Sequence, residues 1–134
     1  MGQQQLLLIV LGVIIVGIAI VVGINLFNAN AEESAKDTLV SEGTNLGAMA
    51  QQFYKKPVAL GGGGNAFTTT NGAPNDWSIP ANLVETAGGS WSITGQTDDE
   101  VILTGEPDDS YDYSWSVEVT VTPTGITSEI LGAN

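Results

Sequence analysis

The chain has 134 residues, 15 of them acidic against three lysines, and it contains no arginine, histidine or cysteine. That length allows one modest domain. The missing cysteines exclude a disulfide frame and a thiolate site, and the missing histidines exclude a Ser-His-Asp triad and His-ligated zinc. A net charge of −12 repels polyphosphate, so nucleic acid is not expected as a partner. Composition points away from catalysis, and no catalytic residue, metal ligand or cofactor site is assigned.

The first element is the run Leu6 to Ile24, which carries no charge and no strongly polar side chain. As a helix it spans about 28 Å, close to the hydrocarbon thickness of a bilayer. A core helix of a soluble domain would show a polar face, and this run shows none. Three readings follow. One is a cleaved secretory signal, suggested by Ala29-Asn30-Ala31, although MGQQQ lacks the basic residues of such signals. The second is a single-span anchor. The third is a helix that leaves the membrane and polymerises.

The chain continues without proline until Pro57, and Leu39, Leu46, Met49, Ala50 and Phe53 recur at helical spacing. Gly43 and Gly47 weaken this helix by up to about 1 kcal/mol each. Lys55 and Lys56 suit its last turn, where the dipole favours cations. One helix of about fifty residues is predicted, apolar on all sides in its first half and on one side in its second.

A short polar N-terminus, an apolar helix beginning at Leu6, an amphipathic continuation and a small β-rich domain resemble a type IV pilin, a family that includes pseudopilins and archaeal pilins. The resemblance implies a subunit held in the cytoplasmic membrane, then moved by inner-membrane pilus assembly machinery into a helical homopolymer at the cell surface. It implies a filament core built from Leu6, Leu8, Val10, Gly12, Ile15, Val16, Gly17, Ala19 and Gly23. It also implies methylation of the mature N-terminus, here Met1. Gln5 stands where the family usually carries glutamate, and Val22 stands near the position of a frequent proline. Gln3, Gln4 and Gln5 are then expected to form a polar collar that hydrogen-bonds a neighbouring terminal amine during assembly.

Residues 57–75 read as a Gly/Thr-rich flexible connector: Gly61 to Gly64 are not followed by the Lys-Ser/Thr of a phosphate loop. Trp77, Ile79, Leu83 and Val84 mark a short packed segment before the Gly88-Gly89 turn. Trp91 and Ile93 alternate with polar residues as a strand ending at Gly95. Val101 and Leu103 form the next strand after an Asp98-Asp99 turn. The alternation from Tyr111 to Val121 predicts the longest strand, and Ile126 to Leu131 the last. The acidic groups Asp98-Asp99-Glu100 and Glu106 to Asp112 fall in turns, do not fit a calcium-loop pattern, and read as a solvated rim.

The expected fold is therefore α+β. A long N-terminal helix (1–56) packs on a small antiparallel sheet of about four strands within a C-terminal β-rich domain (76–134). The helix must cover the apolar face of the sheet, which assigns Leu39, Leu46, Met49, Phe53, Trp91, Trp115 and Val119 to helix–sheet packing. The expected function is a pilin-like structural subunit. The alternative is a membrane-anchored extracytoplasmic binding module, or a minor pseudopilin of a secretion system.

Overall fold

The computed structural model describes residues 2–132. Helix α1 runs Gly2–Lys55, and a short helix α2 (Ala81–Val84) leads into the sheet. The strands are β1 (Glu85–Thr86), β2 (Gly89–Gln96), β3 (Val101–Pro107), β4 (Ser116–Val121) and β5 (Ile126–Leu131). They form one antiparallel sheet in chain order, β1-β2-β3-β4-β5. The fold is α+β, with five strands rather than about four. The added strand, β1, has only two residues, too short to carry an alternating pattern.

Two compact units divide the chain, Met1–Ser34 and Ala35–Asn134. In the first, residues 2–31 of α1 are all exposed. In the second, α1 buries Leu39, Gly43, Leu46, Gly47 and Ala50, a stripe at helical spacing. That stripe covers the sheet face formed by Trp91 of β2, Val101 and Leu103 of β3, and Val117, Val119 and Val121 of β4. The alternate residues of β4 (Ser116, Glu118 and Thr120) are only half-buried, on the outer face. Burying a Val, Leu or Phe side chain contributes about 1.5–3 kcal/mol, so this interface is a major source of the unit's stabilisation.

The 57–75 segment does not behave as a connector. Phe67 is fully buried and Trp77 nearly so, and both belong to the core. The glycine tract folds back over the end of α1, where Gly63 N–H donates to the Phe53 carbonyl (2.8 Å), Gly64 N–H to Lys56 (3.0 Å) and Asn65 N–H to Tyr54 (2.7 Å). Carbonyls that a helix end leaves unpaired are thereby satisfied. A side chain on Gly63 would collide with the Ala66 carbonyl and approach the Phe53 ring to 2.8 Å, so the tract is compact by necessity.

The strand expected from Tyr111 begins only at Ser116. Ahead of it lies a 3-10 turn, Asp109–Tyr111, whose N-cap Asp108 accepts from Ser110 N–H at 2.9 Å. Asp112 then adopts a left-handed conformation (φ 53°), which interrupts extended backbone. The alternation at 111–115 serves a different purpose: Tyr111 stacks on Tyr113 (5.4 Å, 15°) and Tyr113 on Trp115 (5.5 Å, 21°).

Strand β2 carries a bulge, since Ile93 pairs with Leu103 but Gly95 pairs with Ile102. The extra residue shifts the alternation and sets Gln96 opposite buried Val101, on the core side. The Gln96 amide uses that position to donate to the carbonyls of Phe67 and Trp77, both at 3.0 Å.

Candidate functional site: an apolar helix surface

The apolar stretch of α1 is built largely from Ile, Val, Leu and Gly, side chains that carry nothing to pair with. Seventeen large apolar side chains between Leu6 and Phe27 are at least half exposed, from Val22 at 50 % to Phe27 at 75 %. Its most apolar window has a mean hydropathy of 3.3, and no charged residue precedes Glu32. The helix is long and apolar enough to cross a membrane. All its interior backbone groups are bonded within the helix, which is what lipid or a dry bundle demands.

Leu6, Leu8, Val10, Ile15, Val16 and Ala19 are exposed along this stretch. Gly12, Gly17 and Gly23 are open: a side-chain carbon on any of them would meet nothing within 4 Å. Gln3, Gln4 and Gln5 lie exposed in the first turns, near backbone N–H groups that a helix start leaves without intrahelical partners. The expected methylation at Met1 lies outside the described residues.

The packing residues fall in the second unit and come together. Leu39, Leu46, Trp91, Trp115 and Val119 are buried in one core cluster, with Met49 and Phe53 half-buried against it. Trp91 is seated between two glycines: a side-chain carbon on Gly43 would lie 2.5 Å from its ring, and one on Gly105 2.7 Å. Its indole N–H donates to the Glu42 carboxylate (3.2 Å), which also accepts from the Thr86 hydroxyl (2.9 Å). Lys36 lies 5.6 Å from the centroid of the Trp115 ring, in cation–π range. Among the described residues, the buried Trp115 indole nitrogen has no hydrogen-bond partner.

Glu42, Gly43, Gly105, Phe67 and Gln96 are structural residues that sequence reasoning missed. Gly43 at stripe spacing from Leu39 and Leu46 was the available signal, because a helix glycine on the buried face often marks close approach.

The acidic turns already have local work. Asp98 accepts from the hydroxyls of Thr68 and Thr70, the latter at 2.6 Å. Those two hydroxyls hold its carboxyl below the ordinary carboxylate value. The Ser110 hydroxyl and N–H do the same for Asp108. Burial, followed by the nearby Asp99 carboxylate, pushes the Tyr54 phenol up. Among the described residues, no three acidic side chains converge into a metal-holding group.

The chain matches no family model, no curated protein and no solved structure.

Proposed function

We propose that this protein is a pilin-like structural subunit that polymerises through its apolar helix into an extracellular filament. Before assembly the helix rests in the cytoplasmic membrane with the sheet-bearing unit outside, and assembly machinery in that membrane moves it into a bundle of identical helices. One observation carries the reading: α1 is apolar and exposed on every side over its first stretch, then apolar and buried on one side where it meets its own sheet. Each large apolar side chain left in water forgoes about 1.5–3 kcal/mol. Seventeen of them outweigh the whole stability of a typical domain, about 5–15 kcal/mol. That surface therefore needs a partner, and lipid and a helix bundle are the two partners it suits.

Lipid tails are as apolar as leucine, so transfer from membrane to bundle must draw on packing and a few polar contacts. Gly12, Gly17, Ala19 and Gly23 supply places where another helix can approach closely. Gln3, Gln4 and Gln5 supply neutral hydrogen-bonding groups, which cost less to carry through lipid than a carboxylate.

A single-span anchor for an extracytoplasmic binding module uses the same helix without a bundle. Electron microscopy of the sheared surface fraction separates the two. Fibres composed mainly of this chain are expected; a chain found only in the membrane fraction would leave the anchor reading standing and end the filament one.

A further inference from the structure

We propose that β5 is an ionic-strength-sensitive latch of the sheet, an edge strand whose attachment tightens as salt rises and loosens as it falls. Glu118 of β4 and Glu129 of β5 are direct partners across the ladder. Such partners hold their side-chain carbons about 5 Å apart on one face, and like charges there repel. The row continues inward to Thr104 of β3, opposite Glu118, and Glu106 follows two residues along on the same face. No basic residue lies in any of the five strands, since the three lysines are Lys36, Lys55 and Lys56. The sheet has no cation of its own to offset these carboxylates.

What holds β5 against that repulsion is slight. Among the described residues it pairs with β4 alone, at the end of the sheet order. Five of its six residues are exposed, and only Ile126 is half-buried, lying where a side chain on Gly47 would reach within 3.1 Å of it. By contrast, β3 buries Val101, Leu103, Gly105 and Pro107 and has a strand on each side. The opposite edge is a two-residue strand beside α2. β5 is thus the long edge, weakly packed and locally repulsive.

Exposed charges are screened over about 30 Å at 0.01 M salt and about 3 Å at 1 M. The opposed pair, at about 5 Å, lies well inside the first length and beyond the second. Salt therefore acts on this junction more than on the β2–β3 hairpin, where Trp91 and Leu103 carry the contact. A loosened β5 bares the β4 ladder, where a strand from another molecule can pair. The device does not depend on whether the chain polymerises.

The test is hydrogen exchange on the full chain in nonionic detergent, at low and at 1 M sodium chloride. Amides of residues 126–131 should exchange roughly two- to fivefold more slowly in high salt, measured relative to residues 101–105. Glu129→Gln, and separately Glu118→Gln, should remove that difference while leaving residues 101–105 unchanged. Equal salt response in the two segments, or a full response retained in Glu129→Gln, would overturn the latch.

Discussion

The two stretches of α1 share a helix and differ in almost everything else. Residues 2–31 are all exposed and present apolar side chains on every side over Leu6 to Ile24, whereas residues 39–50 bury one stripe and leave the other positions half-buried or exposed. Glycine shows the difference most clearly. Gly12, Gly17 and Gly23 face open space, while Gly43 receives the Trp91 ring and Gly47 receives Val121 and Ile126. The same helix-weakening residue, costing up to about 1 kcal/mol, is offset in the second stretch by packing inside the molecule. In the first stretch any compensation has to come from outside it.

The largest expected effect breaks the first stretch alone. Val16→Asp places an unpaired charge in a surface that suits lipid or a dry bundle, at a cost of several kcal/mol. Fibres should disappear while near-ultraviolet dichroism of the sheet-bearing unit stays native. Wild-type numbers of fibres from this variant would remove the role given to the apolar stretch.

The next effect separates the two kinds of glycine. Gly43→Leu drives a side chain into Trp91 and Val119, and overpacking of this sort costs about 1–3 kcal/mol or more. The melting temperature in detergent should fall accordingly. Gly17→Leu meets nothing within the chain, so the same melt should be unchanged, with any loss confined to fibre yield. If both variants melted alike, the contrast between the stretches would be mistaken.

Much of the fold is legible because its signals are local and periodic. The stripe at Leu39, Leu46 and Phe53 and the alternation at Val117, Val119 and Val121 each read directly onto a buried face. What escaped depends on contacts between distant residues. Nothing near Gly61 to Gly64 announces that it caps α1, because its partners are the carbonyls of Phe53, Tyr54 and Lys56. The alternation at Tyr111, Tyr113 and Trp115 fits a strand as well as an aromatic stack, and left-handed Asp112 decides between them. Glu42 looks like one more surface acid until Trp91 and Thr86 are brought to it. The apolar surface was legible outright, since nineteen residues in a row without a polar side chain need no tertiary context.

A smaller effect sharpens the packed side of the comparison. Glu42→Ala strands the indole N–H of buried Trp91 and frees the Thr86 hydroxyl. An unsatisfied buried donor costs about 1–3 kcal/mol. Glu42→Gln retains an acceptor oxygen and should recover most of that loss. Tryptophan near-ultraviolet signal and melting temperature report both, and a silent Glu42→Ala would mean the node does not fix the helix on the sheet.

The smallest effect uses pH to tell the stretches apart, because no ionisable side chain lies between Gly2 and Ala31. At the far end of the packed stretch, Tyr54 meets Phe67 (5.0 Å between centroids), and Phe67 N–H donates to the Asp98 carbonyl (2.9 Å). The Asp98 side chain fastens the same loop through Thr68 and Thr70, which lowers its pKa from 3.8. A carboxyl lowered on folding stabilises the folded state above its unfolded value, and that contribution is lost as pH falls through the folded value. Exchange of the 66–71 amides, corrected for the intrinsic pH dependence, should therefore accelerate modestly below pH 3.8. Helical signal from the uncharged stretch should not move over the same range. Asp98→Asn should start with the faster exchange at neutral pH and lose the acid-dependent step. Retention of that step in the variant would assign it to one of the other carboxylates in the second unit and leave Asp98 without the fastening role.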